Sequence, residues 1–325
     1  MLPICKVSLP TPWATVGPIH VYLIKQDPVT LIDTGVDTPE AREALISGLD
    51  EMGLGINDIR RVLLTHAHVD HMGLAAWIRD ASGADVWLHP DEAGKAENPD
   101  WWLAERDRIL AQAGVPEDVQ HSMEMYYRRT RALALPFDGA WRPMAGGQVF
   151  PFEAGALRAV HLPGHALGHT GFIDEAGGSM VGGDHLLSGI TPNPILEPLP
   201  PGHPAGAPHA PGRALTLGQF LQSLDVAAGL PLERVLPAHG PVILDHVRVV
   251  EGYKIRHERR LGKLWERLRR PATVYEVTRE VYPNVSELHI FLAVSEVLAH
   301  LDLLAARGRA AVDTAGSVWV YRAQE

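Results

Sequence analysis

Seven residues, Thr65-His66-Ala67-His68-Val69-Asp70-His71, constrain this chain more than any other stretch. They follow Val62-Leu63-Leu64, an apolar run that reads as a buried strand, and they precede residues 72–79, which read as the start of a helix. Neutral imidazole and carboxylate are the donors that borderline divalent cations such as zinc prefer. His66 and His68 are two apart, so extended backbone points both rings the same way. The turn into the helix swings Asp70 and His71 to a different side. One loop therefore offers two ligands to each of two neighbouring metals. A loop of plain surface histidines is the alternative, and the ligand density within a strand-loop-helix context argues against it.

Four further strings follow the same logic of a polar group placed just past a strand. They are Asp33-Thr34-Gly35, Pro163-Gly164-His165-Ala166-Leu167-Gly168-His169, Gly182-Gly183-Asp184-His185 and Pro237-Ala238-His239-Gly240. Together with the H-x-H-x-D-H string, in this order, they resemble the motifs of the metallo-β-lactamase superfamily, and the resemblance covers most of residues 1–250. It implies an α/β fold, the αββα sandwich of that superfamily. It implies two divalent metal ions, with zinc the default and manganese or iron acceptable to the same donors. His66, His68 and His165 would hold the first metal, Asp70, His71 and His239 the second, and Asp184 would bridge them. Asp33 would support the site from behind, and His169 would hydrogen-bond it rather than bind metal. The catalytic residues implied are Asp70, which can accept a proton while ligating, with Asp33 and His169. Two such ions depress the pKa of a shared water, so that a bridging hydroxide attacks an electrophilic carbonyl or phosphorus.

The rest of the chain places these strings. Strands are expected over 6–9, 20–25, 29–32, 85–88, 148–152, 157–161 and 235–236, with a hairpin of 172–173 and 179–181. Helices are expected over 39–52 and 217–230. Residues 91–141 alternate aromatic and methionine residues with charges, and read as two or three helices inserted as a cap. That cap either packs on the sandwich or walls an apolar pocket over the metals; the second outcome requires Trp101 and Tyr126 to lie near the site. His89, His161, His203 and His209 read as ordinary strand-end or loop residues, His185 as a surface or supporting residue, and His20 has no assigned role. From 247 a basic helix begins. Its continuation through 272–277, 285–304, 311–312 and 318–321 resembles a winged helix. Two units are thus expected, a catalytic domain over 1–250 and a winged-helix-like domain over 251–325, as the length of 325 residues suggests.

Composition narrows the function. The net charge is -10, and from Glu251 onward 12 Lys and Arg face 10 Asp and Glu. The acidic remainder makes a poor nucleic-acid surface, and the basic helix reads as a packing face before a nucleic-acid site. Cys5 is the single cysteine, which suits a reducing, cytoplasmic setting. No stretch has the length of a signal peptide or of a membrane span. The only cysteine is far from the ligand strings, which argues against the β-lactamases that use a cysteine ligand. The residues after Asp184 lack the basic and aromatic groups associated with glutathione binding, and the clamp domain of the family nucleases is missing. The expected activity is hydrolysis of a small acyl ester, thioester or lactone. A phosphodiesterase or endoribonuclease is the alternative, and a non-catalytic binding protein the third. A small molecule is the expected partner, no membrane is, and homo-oligomerisation is left open.

Overall fold

Period-two alternation builds the layers. In this computed structural model, β1 (Ile4–Leu9), β2 (Ile19–Ile24), β3 (Thr30–Ile32), β4 (Arg61–Leu63), β5 (Asp85–Leu88) and β6 (Arg142–Pro143) form one sheet in that order. β1, β2 and β3 pair antiparallel, and β3 to β6 pair parallel. β2 is buried throughout, and its successive side chains serve opposite faces. Tyr22 and Ile24 enter the layer between the sheets, while Val21 and Leu23 pack beneath helices. Those helices are α1 (Pro39–Asp50), the single-turn α2 (Val69–Met72) and α3 (Ala75–Ser82). Thr38 starts α1: its Oγ1 accepts the Ala41 N–H at 3.2 Å, and Pro39 fills the first turn, where no N–H is required. The structure describes all residues except Thr15, Leu135, Pro136, 138–140, Pro201, Gly202, Ala205, Pro208, His209, Glu287 and Leu288. The reading of His209, and two residues of the helix expected over 285–304, thus lie outside the described residues.

Between β5 and β6 run the three cap helices, α4 (Ala93–Glu97), α5 (Pro99–Gln112) and α6 (Glu117–Arg131). β6 was not foreseen. It is a two-residue edge strand containing Pro143, and proline, lacking an N–H, is tolerated at an edge. The second sheet comprises β7 (Val149–Phe152), β8 (Gly155–His161), β9 (Thr170–Asp174), β10 (Ser179–Gly183) and, after a ribbon of β11 (Gly206–Ala207) and β12 (Ala210–Ala214), β13 (Arg234–Pro237). Its order is β13-β10-β9-β8-β7, with only β10 and β13 parallel. Phe172, Val181 and Leu236 face the first sheet, and their neighbours Ile173, Met180 and Val235 face outward, under α7 (Thr216–Ala228). Helix, sheet, sheet, helix is the expected αββα order.

The C-terminal part holds α8 (His246–Arg267), β14 (Ala272–Thr273), α9 (Val274–Val281), α10 (Ile290–Ala306), β15 (Ala310–Asp313) and β16 (Val320–Ala323), the strands pairing as β14-β16-β15. One continuous apolar cluster joins Tyr253 and Leu261 of α8, Val297 and Leu301 of α10, Phe220 of α7 and Ile109 and Met123 of the cap. Arg213 of β12 locks the same junction. It is 1% exposed, donates from Nε and Nη2 to both Asp302 oxygens at 2.7 Å, and lies 3.9 Å from the Trp319 ring. Several cations of α8 have carboxylate partners, Lys254 with Asp225, Arg260 with Glu296 and Arg267 with Glu280, and just past it Arg269 pairs with Glu266. Arg259 and Lys263 are exposed. No described helix is long and apolar enough to cross a membrane.

Candidate metal centre

The loop after β4 does what its spacing suggests. His68 is extended (φ −73°, ψ 152°) and immediately precedes α2, so it shares a side with His66. His68 Nδ1 lies 2.7 Å from His66 Nε2 and 3.1 Å from His165 Nε2. Asp70 and His71 ride on the first turn of α2 and face the other way. Asp70 Oδ2 is 3.4 Å from His239 Nε2, and Asp70 Oδ1 is 3.9 Å from His71 Nε2. Asp184 stands between the two groups. Its Oδ2 is 3.5 Å from both His71 Nε2 and His165 Nε2, and its Oδ1 is 3.7 Å from His239 Nε2. All seven residues picked from the sequence as ligands are thus brought together. Within each of the sets His66/His68/His165, Asp70/His71/His239 and His66/His71/Asp184, the ligand atoms lie within 4.8 Å of one another.

The outward-facing ring nitrogens decide which nitrogens point inward as lone pairs. His71 Nδ1 donates to Asp33 Oδ2 at 2.8 Å, His165 Nδ1 to the Asn193 carbonyl at 2.9 Å, and His239 Nδ1 to the Pro18 carbonyl at 3.1 Å. Carbonyl and carboxylate oxygens only accept, so these nitrogens carry the protons. The inward nitrogens then present lone pairs to one another. His71 Nε2, His239 Nε2 and Asp184 Oδ1 are buried with no hydrogen-bond partner among the described residues. Orphaned buried acceptors at such spacing fit one thing well, a cation between them.

The electrostatics agree. Burial, and then the neighbouring imidazoles, hold His66 and His68 well below the usual histidine range. Burial also pushes His71 down, but Asp33, Asp184 and Asp70 outweigh it and raise the ring well above that range. Burial raises the Asp184 carboxyl, and His71, His239 and His165 more than reverse this, leaving it well below the carboxylate range. The carboxylates give the site a negative field that, without a cation, draws a proton to His71 and His239, while burial keeps His66 and His68 from charging. A divalent cation answers both conditions.

Supporting groups fix the ligands. Asp33, 2% exposed and at φ 58°, accepts the Thr65 N–H at 2.8 Å and the Thr65 hydroxyl besides His71. A non-glycine residue in the left-handed region is strained, and such strain gathers at functional sites. His169 touches the site through the main chain, its Nε2 accepting the Asp184 N–H at 3.1 Å. Gly183 (φ 52°) precedes Asp184; a Cβ there would lie 2.8 Å from His169 Nε2 and 2.9 Å from Thr65 Oγ1.

Several assignments change. Of its two readings, surface or supporting, His185 takes the second: it is fully buried between His169 and Phe220, and burial pulls its pKa down to about 3. His20 holds the last motif, its Nε2 lying 3.1 Å from the Gly240 carbonyl. Glu92 was missed altogether. It is fully buried, and its two oxygens accept the N–H groups of Ala67 and Gly168 at 2.9 and 2.7 Å, tying both ligand loops together. Lys95 pairs with Glu92 at 2.8 Å and Glu197 at 2.6 Å; burial first, and then Glu92, keep Glu197 at a pKa of about 7. The Glu92–Lys95 spacing reads as an ordinary helix-face pair, and nothing local marks Glu197. A cavity of about 380 Å³ opens over Asp70, His165 and Asp184. Trp102, Met123, Tyr126 and Tyr127 of the cap line it, so Tyr126 lies near the site. Trp101 does not; it lines a neighbouring cavity with Asp91 and His203.

A fold with this constellation at the strand ends defines a metallohydrolase class. The profile of the metallo-beta-lactamase superfamily matches residues 14–239, and the chain belongs to that superfamily. It is 32% identical over 309 residues to the probable metallo-hydrolase YqjP of Bacillus subtilis (strain 168), covering 93% of this chain and 92% of that protein. A metallo-beta-lactamase family protein from Thermus thermophilus has a similar structure, with a TM-score of 0.84 at 29% identity, covering 99% of this chain and 98% of the other. More distant similarity reaches the hydroxyacylglutathione hydrolase GloC of Haemophilus influenzae, 27% identical over 47% of this chain and 61% of that one. It also reaches an atrochrysone carboxyl ACP thioesterase of Aspergillus fumigatus, 27% identical over 66% of this chain and 35% of that one. The protein is therefore an enzyme of the metallohydrolase type, with residues able to hold divalent metal ions.

Proposed function

We propose a dinuclear metal-dependent hydrolase that cleaves a small acyl ester, thioester or lactone. The observation that carries this is the set of orphaned inward atoms, His71 Nε2, His239 Nε2 and Asp184 Oδ1, beneath a mainly apolar cavity. In this reading His66, His68 and His165 would hold one metal and Asp70, His71 and His239 the other, with Asp184 available to both. Zinc is the preferred ion, with manganese or iron acceptable to the donors. The ions supply, when bound, a water acidified to near neutral pH and polarisation of the oxygen that gains charge. Asp33 holds the His71 ring in the tautomer that leaves Nε2 free. His169 fixes Asp184 through its main-chain N–H. The free edge of Asp70 can accept a proton. Trp102, Met123, Tyr126 and Tyr127 surround an apolar acyl group and keep bulk water off the reacting carbonyl.

The names of two relatives, a thioesterase and a hydroxyacylglutathione hydrolase, support an acyl substrate. A phosphodiesterase or endoribonuclease is the second reading. It is less favoured because α8 commits much of its charge to carboxylates and the cavity is apolar. The same proposal takes residues 1–250 as the catalytic unit, 251–325 as a winged-helix-like unit packed on it, and the cytoplasm as the setting. Turnover by metal-loaded protein of acyl thioesters and lactones, with single-stranded RNA in parallel, tests it. Thioester or lactone cleavage lost in Asp184→Asn is the expected result. Cleavage of RNA alone, lost on neutralising Arg259 and Lys263, overturns the ranking. Absence of any turnover overturns the enzyme reading.

A further inference from the structure

Outside the catalytic cluster, three more imidazoles and a carboxylate gather from three stretches of chain. His89 follows β5, and Asp91 sits in the single turn after it. His161 ends β8, and His203 comes from the proline-rich loop. None serves the proposed reaction. The His89 and His161 rings stack with centroids 4.2 Å apart and planes at 9°. Asp91 reaches to both sides: its Oδ2 is 3.7 Å from His89 Nδ1 and its Oδ1 is 3.2 Å from His203 Nε2. One ligand atom each from His89, Asp91 and His161 lie within 4.8 Å of one another.

The hydrogen bonding at His161 is the arrangement metal-binding histidines favour. Its Nε2 faces the Leu167 carbonyl at 2.9 Å, so Nε2 carries the proton and Nδ1 keeps a lone pair. Tetrahedral zinc with nitrogen and oxygen donors has ligand-to-ligand edges of roughly 3.4 Å, from bonds of about 2.0–2.1 Å. The His89 Nδ1–Asp91 Oδ2 separation of 3.7 Å is already close to that, and no pair among His89, Asp91 and His161 exceeds 4.8 Å. These side chains are only partly buried, so they have room to move and the cation has a way in. Two imidazoles and one carboxylate suit a borderline divalent ion and disfavour magnesium or calcium.

We infer that His89, Asp91 and His161, with His203 supporting Asp91 from behind, form a separate structural binding site for a zinc-like divalent cation. Its place explains what it would do. Asp91 is joined to Glu92, which holds the loops of Ala67 and Gly168. His161 leads into the turn that presents His165. A cation here clamps the ends of β5 and β8 and the proline-rich loop into one rigid support behind the reacting centre. None of its ligands is shared with the dinuclear centre.

The test is metal content. Protein stripped with chelator is reloaded with zinc, passed through gel filtration and analysed for zinc per chain. The wild type is expected to retain one equivalent more than His161→Gln and Asp91→Asn. His203→Ala should weaken that equivalent by about tenfold or more, the scale of loss for a supporting partner. Asp184→Asn should keep it while losing metal at the other cluster. Cobalt substitution gives a second readout, a visible band that disappears in Asp91→Asn but stays in Asp184→Asn. If His161→Gln fails to fold, the Asp91 and His203 variants carry the comparison. Equal zinc in the wild type and in the folded variants overturns the site, and so does a loss that follows only Asp184→Asn. An intact extra equivalent in a protein that binds nothing at the catalytic cluster would instead sink the dinuclear reading and leave this one standing.

Discussion

Replacing Asp33 by asparagine tests how far the metal centre depends on a residue that touches no metal. The carboxylate divides its work: Oδ1 accepts the Thr65 N–H at 2.8 Å, and Oδ2 accepts His71 Nδ1–H at 2.8 Å. Both oxygens also lie within 3.0 Å of the Thr65 hydroxyl. An amide has one oxygen, so its NH2 must face a donor. If it faces Thr65, the buried N–H of the ligand loop loses its acceptor. If it faces His71, the ring must accept at Nδ1, its proton moves to Nε2, and the lone pair meant for the metal is gone. Either way one charge-assisted hydrogen bond is lost, about 1.5–3 kcal/mol. That equals roughly a 10–100-fold fall in affinity, the range seen for outer partners of metal-bound histidine. The assay is zinc competition against a chromophoric chelator, resolving two affinities. The affinity assigned to the His71 side should fall by about 10–100-fold, and the His66/His68/His165 side by much less. Two affinities within about twofold of the wild type would refute the argument that Asp33 sets the His71 tautomer, since that is far below the expected outer-partner effect.

The remaining expectations concern the junction, pH and the pocket. Asp302→Ala strands the buried Arg213 guanidinium and should lower stability by about 3–5 kcal/mol in urea unfolding; a loss below about 1 kcal/mol, the scale of an exposed pair, would show the pair to be effectively solvated. Burial pulls His257 and His300 down to about 4, with each ring also next to a polar partner of the other helix or its own. The unfolded chain binds protons at the ordinary 6.5, so above that pH neither ring affects the balance, and stability falls as pH drops from about 6.5 toward 4. In metal-free protein each ring accounts for up to about 2 kcal/mol between pH 7 and 5, and His300→Gln should shrink that difference in urea midpoints. Ile190, 47% exposed, lines the cavity; Ile190→Trp should cut kcat/KM for the longer acyl chains about tenfold, with zinc content unchanged.

Legibility followed the range of the interactions. The pairing of His66 with His68, and the turn that separates Asp70 and His71 from them, are decided within seven residues by strand and helix periods. Trp101 and Trp102 show the limit. Both lie on α5, about 100° apart around the helix axis. Asn98, whose Oδ1 accepts the Trp101 N–H at 3.1 Å, sets where the helix begins. Trp102 then turns inward at 5% exposure and Trp101 does not, a choice of phase that composition does not reveal. Glu92 was invisible for another reason. Apart from Lys95 one helical turn on, its partners lie 25 and 76 residues away, and both of these are main-chain N–H groups, which leave no trace in residue type. Arg213 was not singled out either, because its partner Asp302 is 89 residues on.

Strand direction explains why residues scattered from 33 to 239 meet at all. β3 and β4 run parallel in one sheet, and β10 and β13 run parallel in the other. β8 pairs antiparallel with β9, and β9 with β10, so β8 shares the direction of β10. The C-terminal exits of these strands deliver Asp33, His66, His165, Asp184 and His239 respectively. Two sheets packed face to face, each with its exits at the same end, place five loops along one shared edge. Fine adjustment then falls to single residues. The register of β10 shifts between Val181 and Gly183, and a shift of this kind re-aims the side chain that follows, here Asp184. The fold thus supplies the edge, and a bulge, a left-handed aspartate and a glycine at φ 52° supply the last ångström. Lengthening β10 by one residue ahead of Gly182 would send the exit of Asp184 to the opposite face of the sheet and disperse the cluster, while leaving the packing of both sheets to be re-established around it.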